Sequence, residues 1–342
     1  MNIRISFLFL TTILTTVVVG KDNTNTATSA ITYKLNLGRH GGRLGDCLIN
    51  YIKAKWISYS NNIPLYCPKF KYSEKLMLSK IEKRYNKKMD KQYKKRVVMP
   101  NGKTIIRDSQ YCFKKHKEAI FNNKIEKDKN FLYVSNYYAN ITINWDDKNF
   151  IKELKKTIAP VKPIKKPEIP KNMISVALHV RKGGGYDPPL LSKKTLPLLS
   201  KKILYADQKW PLKFPPDNYY IAQIKKLHEI LDKQPLYIYI FTDDQNPQKI
   251  AEEYKNALKI ENITFAWREK NNAHNKNVIQ DLFEMTYYDC LIRALSNFGA
   301  IADIVGNFHI VIHPEGSYHW EGDKLIIDKV KIRINNNISE NL

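Results

Sequence analysis

Cysteine is scarce, with only Cys47, Cys67, Cys112 and Cys290 in 342 residues. None stands two residues from another and no histidine group completes a set, so the spacing excludes a structural zinc site. Four are also too few for a disulfide scaffold in a chain this long. One or two bridges stay open, with Cys47–Cys67 and Cys67–Cys112 as the candidate pairs. Acidic residues are short as well, 33 against 57 Lys+Arg, which leaves a net charge of +24. Such an excess draws anions of any kind: nucleic acid, acidic membrane or phosphorylated substrates. Most of it is lysine spread over 69–129 and 152–171, in a background rich in Ile and Asn, and reads as a solvated basic surface. It has no arginine stripe and no interleaved aromatics to stack bases, so nucleic acid is not an expected partner. Low-complexity tracts are missing, and no run after residue 20 is long and apolar enough to span a bilayer.

The opening residues carry a signal of their own. Arg4 supplies a positive start, 5–20 is an uncharged run of Ile, Leu, Phe, Val and Thr, and Lys21-Asp22-Asn23 breaks it. The run is short for a span and suits a signal peptide, although Val18-Val19-Gly20 is a poor cleavage site; a short uncleaved anchor is the alternative. Either places the protein in the secretory route, exported or held at a membrane by its N-terminus. There, Asn140 and Asn262 in Asn-x-Thr are glycosylation acceptors if the host glycosylates in that route.

The rest divides at Pro160-Val161-Lys162-Pro163-Ile164-Lys165-Lys166-Pro167-Glu168-Ile169-Pro170, whose four prolines forbid a helix interior or a central strand. The expected organisation is a domain at 31–160, a linker at 160–171 and a second domain at 172–335. In the first, a strand at 31–37 runs into the glycine loop of Gly38 to Gly45 and a helix at 46–59. A hairpin is expected at Asn101-Gly102, and a strand at 131–134. In the second, strands at 174–180, 236–241 and 264–267 alternate with helices at 218–231, 247–259 and 278–290. A short helix and strand follow, to 312. Helices of ten or more residues between strands imply parallel sheets, whose ligands bind at the carboxyl ends of the strands.

Three segments near such ends carry chemistry. In His179-Val180-Arg181-Lys182-Gly183-Gly184-Gly185-Tyr186-Asp187, a strand delivers an imidazole and two cations to a glycine turn. Strand alternation puts His179 and Arg181 on one face and Lys182 on the other. Arginine grips phosphate oxygens bidentately and glycines let backbone N–H groups approach, so the set fits a pyrophosphate as well as it fits an ordinary basic loop. Phe241-Thr242-Asp243-Asp244 ends a strand with two carboxylates, a metal pair or a cap for the following helix. Asp281 opens Asp-Leu-Phe-Glu-Met, and Leu295-Ser296-Asn297-Phe298-Gly299 is a turn that can present N–H groups to a phosphate.

Taken together and in order, these segments resemble the alpha-1,2-fucosyltransferases of glycosyltransferase family 11. Gly41-Gly42-Arg43-Leu44-Gly45-Asp46 is similar to their Gly-Gly-Leu-Gly-Asn-Gln, with Arg43 inserted and Asp46 for Asn. His179-Val180-Arg181-Lys182 resembles His-x-Arg-Arg, shared with alpha-1,6- and protein O-fucosyltransferases. Pro216 to Tyr220 resembles the Tyr-Tyr helix start, and Phe241 to Asp244 resembles Phe-Ser-Asp-Asp. Asp281 to Thr286 with Ala294 to Gly299 resembles Asp-Leu-x-x-Met-Ser followed by Ala-Asn-Ser-Ser-Phe-Ser. The likeness spans about 33 to 314. It implies an α/β, GT-B-like fold of two Rossmann-like domains with a cleft between them. It further implies inverting transfer of fucose from GDP-fucose to a glycan acceptor, with no metal or other cofactor. Arg181 then holds the β-phosphate, while Lys182 and Gly183 complete the motif and Asp187 stands in for its displaced carboxylate. His179 and Asp281 read the guanine, Ser296, Asn297 and Phe298 lie along the nucleotide with Asp243 beside them, and Gly42, Arg43, Gly45 and Asp46 approach from the other domain. Departures at Lys182, Asp187 and Gly299 leave another nucleotide sugar, or a non-catalytic glycan- or anion-binding relative, as alternatives. Asp187 and His40 are the candidates for general base.

Overall fold

A computed structural model describes residues 28–35, 43–100, 104–106, 109–111, 125–136, 139, 141–182, 211–322 and 324–335. The first half is built on β1 (Ala30–Tyr33), buried on both faces. It pairs in parallel with β2 (Leu65–Cys67) and β7 (Phe131–Ser135), and β3 (Lys83–Arg84) and β4 (Lys95–Val98) extend the sheet in the order β3-β2-β1-β7-β4. Alternation divides its side chains. Ile31, Tyr33 and Tyr133 pack under α1 (Leu44–Asn61) and α3 (Lys148–Ile158), while Ala30, Leu132 and Val134 meet Tyr85, Met89 and Tyr93 on the other face. The short α2 (Leu78–Ile81) follows β2. Helix α1 is buried along almost its whole length, since its outer side is covered by the second half rather than by water.

The second half repeats the plan. Parallel strands β8 (Ile174–Val180), β9 (Leu236–Thr242), β10 (Ile263–Trp267), β11 (Cys290–Arg293) and β12 (Ile310–Pro314) lie in the order β10-β9-β8-β11-β12. Val176, Leu178 and Val180 face α4 (Asp217–Ile230) and α5 (Pro247–Leu258), while Ala177 faces α6 (Val278–Glu284) and α7 (Asn297–Val305). The core under α1 and α3 is continuous with that under α6 and α7: Ile31, Phe150, Leu282, Ala300 and Ile304 belong to one buried cluster. The α/β class with parallel sheets is the one expected from the sequence. Residues 161–173 between them form no helix or strand.

Several elements differ from the sequence reading. After residue 100, β5 (Thr104–Ile106) and β6 (Ser109–Tyr111) pair as antiparallel strands. The helix placed at 278–290 ends at Glu284, passes through a 3-10 turn at Met285–Tyr287 and becomes extended at Tyr288. The cap of α5 is Asn246, which accepts from the Lys249 N–H, not an aspartate of the Asp243-Asp244 pair. An antiparallel edge strand, β15 (Val330–Ile334), and a hairpin of β13 (Tyr318–Glu321) and β14 (Lys324–Ile327) complete the fold unannounced. Cys47, Cys67 and Cys290 are buried thiols and Cys47–Cys67 is not a bridge; burial pushes the Cys47 and Cys290 thiols up to about 12. The N-terminal run, Gly42 and its loop, the Asn101-Gly102 turn, Cys112, Asn140 and the segment from Gly183 to Asp187 lie outside the described residues. Among the described residues, no helix is long and apolar enough to cross a membrane.

Lys53 is buried on α1, where its ammonium donates to the Ala139 carbonyl at 3.3 Å. Burial pulls its pKa down to about 7. The folded value lies below the unfolded one, so the destabilising contribution is fully present below pH 7 and fades as pH rises toward the ordinary lysine value. Denaturant titrations should therefore show wild type gaining about 2 kcal/mol on Lys53→Met between pH 7 and pH 9. A difference independent of pH would refute the assignment.

Candidate functional site

The two sheets meet at their carboxyl ends. Helix α7 follows β11, so its N-terminus lies at the carboxyl end of that strand, and the chain after β1 leads into the N-terminus of α1. These two helix starts touch. A methyl group on Gly45 would stand 2.6 Å from the Phe298 backbone nitrogen and 2.8 Å from the Asn297 carbonyl carbon, closer than any Cβ sits, so glycine is needed there. Asp46 fixes the approach: one carboxylate oxygen accepts from the Asn297 side-chain amide and the other from the Arg43 backbone N–H at 3.2 Å. An asparagine could accept on only one oxygen, which gives Asp46 a reason to replace it. Ser296 caps α7 by accepting from the Gly299 N–H at 3.2 Å. The unpaired N–H groups and partial positive charge of a helix start suit an anion, and here two starts converge.

Strand β8 brings its imidazole and guanidinium to the same place. In register, His179 lies between Phe241 of β9 and Arg293 of β11. It is buried, its ring centre 5.7 Å from that of Phe298, and its Nδ1 has no hydrogen-bond partner among the described residues. Burial lowers its pKa to about 4; Arg293 and Arg43 act in the same direction and Asp243 opposes them. The ring is neutral at ordinary pH. A Cβ on Gly299 would be 3.0 Å from His179 Nδ1 and 3.1 Å from Arg293 Cδ, so glycine in place of the expected serine follows from the tight stack of these two side chains. Arg181 is also buried, its guanidinium 5.0 Å from the Phe214 ring centre.

Lys182, two residues past the end of β8, has a different partner. Its ammonium lies 2.5 and 2.6 Å from the two Asp217 oxygens at the start of α4, and its backbone N–H donates to Asp243 at 2.7 Å. Asp243 thus holds the end of β8. Among the described residues, no three His, Cys, Asp or Glu side chains cluster as metal ligands do. Asp281 is set apart. Its carboxylate is paired with Arg268, which also approaches Glu284 at 3.8 Å, and burial raises it to about 6 against the pull of that arginine.

His179, Arg43, Gly45, Asp46, Ser296, Asn297 and Phe298 therefore gather where the halves touch, with Arg181 at the end of the same strand. The Lys182 ammonium is held by Asp217, Asp243 accepts from the Lys182 N–H, and Asp281 has its own partner in Arg268. Sequence reasoning missed Arg293, fully buried in β11 and bonded at 3.2 Å to the buried Asp303, which also pairs with Arg333. An arginine inside the apolar run Cys290-Leu291-Ile292 is the signal that could have marked it. Arg268 gave no such sign.

No protein-family model matches the chain, and no curated protein does. Among solved structures, the chain is similar to POFUT1 in its apo form, at 12% identity over 82% of this chain and 95% of that one, TM-score 0.42. It is also similar to NodZ alpha-1,6-fucosyltransferase soaked with GDP-fucose, at 11% identity over 90% and 99% of the two chains, TM-score 0.40. The fucosyltransferase NodZ from Bradyrhizobium gives 12% identity over the same shares, TM-score 0.40.

Proposed function

We propose that this protein is a glycosyltransferase that moves fucose, with inversion, from GDP-fucose to a glycan acceptor, in the manner of the alpha-1,2-fucosyltransferases its motifs resemble. One observation carries the reading: the start of α7, the start of α1, the neutral His179 and the buried Arg181 all stand where the carboxyl ends of the two sheets come together. The charge that grows on a departing diphosphate needs such fixed donors more than it needs a bond-making group on the protein. Arg181 takes a pair of phosphate oxygens, the N–H groups after Ser296 take others, and His179 offers an uncharged ring nitrogen to the nucleotide. In this reading, no metal ion takes part, the acceptor enters from the side of the first half, and the chain works in the secretory route, exported or N-terminally anchored.

The second reading, another nucleotide sugar as donor, draws on Asp281. A carboxylate that reads guanine must have its oxygens open to the base, and this one is engaged by Arg268. Calorimetric titration with GDP and UDP decides between the two. Preference for GDP, with transfer of labelled fucose to an acceptor panel that survives chelator, is the expected result. Preference for UDP sustains the second reading, and no binding of either sinks both.

A further inference from the structure

We propose that Lys182, despite its place beside Arg181, takes no substrate charge: with Asp217 and Tyr254 it forms a positioning network that holds the end of β8 so that Arg181 faces the diphosphate. The inference rests on the donor site proposed above and says which of its two adjacent cations does the gripping. The geometry separates them. Arg181 and Lys182 directly follow β8 and part there: the Arg181 guanidinium packs on the Phe214 ring, the Lys182 ammonium on Asp217. Both Asp217 oxygens are within 2.6 Å of the Lys182 ammonium, a contact that cancels the charge where it stands. Tyr254 of α5 donates its hydroxyl to Asp217 at 2.6 Å. That phenol is fully buried, and burial first and Asp217 second raise its pKa far above the ordinary tyrosine value, so it stays a donor at any working pH.

The network reaches Arg181 through the backbone. The Arg181 N–H points to the Tyr220 hydroxyl at 3.4 Å, the Lys182 N–H to Asp243 at 2.7 Å, and the Tyr220 ring stacks on Tyr254 with centres 6.3 Å apart. Asp217 therefore ties the residues after β8 to the start of α4 and the middle of α5, and Asp243 ties them to the end of β9. A lysine suits the post: a compact ammonium on a flexible stem reaches between two carboxylate oxygens, without the fixed fork of arginine. Its substitution for the expected second arginine is then a change of anchor, and the hold on the diphosphate is left to Arg181.

A double-mutant cycle on the full chain tests this. GDP affinity and the kcat and KM of transfer are measured for Lys182→Met, Asp217→Asn and the double variant, well below each one's melting temperature. Positioning predicts that each single change weakens GDP binding and kcat alike, by about tenfold, and that the double variant is no worse than either. Tyr254→Phe, which removes one hydroxyl from a packed ring, shifts both in the same direction by a smaller factor, and gives the readout if the charge variants do not fold. A phosphate contact predicts the opposite split: Lys182→Met weakens GDP while Asp217→Asn, which frees the ammonium, leaves it unchanged or tightens it. That split overturns the proposal. So do folded variants that lose melting temperature but keep GDP affinity and kcat, since the network is then only structural. A wild-type chain that binds no GDP fails the donor site itself and takes this inference with it.

Discussion

Arg181→Ala is expected to weaken GDP binding by at least about a hundredfold while leaving guanosine binding within a small factor. The estimate follows from the bonds lost: two charge-assisted hydrogen bonds to phosphate at about 1.5–3 kcal/mol each, against about 1.4 kcal/mol per decade of affinity. The contrast with guanosine matters because Arg181 is buried and packs on Phe214, so its removal also loosens the pocket wall. A general loosening weakens both ligands; loss of a phosphate grip weakens only the one with phosphates. Arg181→Lys keeps a charge but loses the fork, and should fall between the two. Titration calorimetry at fixed ionic strength measures all of these. Equal affinity of wild type and Arg181→Ala for GDP removes Arg181 from the donor site.

Asp303→Ala should destabilise the fold by about 3–5 kcal/mol, the range for a buried ion pair that loses one member. Arg293 is fully buried and Asp303 nearly so. The cost is that of a guanidinium left inside the core without its carboxylate, more than that of the missing attraction. Joint replacement of Arg293 and Asp303 by leucine should therefore be milder than Asp303→Ala alone, because no fully buried charge is stranded; Arg333 loses Asp303 in both, but it is partly exposed. Denaturant unfolding of wild type and the two variants gives the order. Arg293 also backs Gly299 and flanks His179, so Asp303→Ala should weaken GDP binding in protein that remains folded. A loss of less than 1 kcal/mol would show that water or another group reaches Arg293.

The sequence made most of the second half legible because its strands are mainly apolar and its helices alternate with them: Ile174–Val180 and Leu236–Thr242 are buried or half-buried on both faces. Convergence of Gly45 and Asp46 with Asn297 and Phe298 was foreseeable only through a resemblance, since no local pattern joins residues 251 apart. Where the reading failed, the local signal was ambiguous or absent. Apolar residues continue at helical spacing through Tyr288 and Leu291, so a helix and a turn into a strand leave the same trace there. Strand β13 is exposed along its length and has no buried side to mark it. Asn246 before Pro247 is a clear start signal, but Asp243 and Asp244 are equally good capping types three and two residues earlier. The commitment of Lys182 to Asp217 depends on where α4 begins in space, which spacing along the chain does not contain.

The single buried cluster that runs under α1, α3, α6 and α7 bears on how the protein can be taken apart. The proline-rich stretch invites a cut there and separate production of each half. Helix α1 is the obstacle, because one of its sides belongs to the first sheet and the other to α7. Either half alone would present that surface to water, as a subunit does when its obligate partner is removed. Expressed together from two genes, the pieces should find each other and reassemble; expressed singly, each should be insoluble.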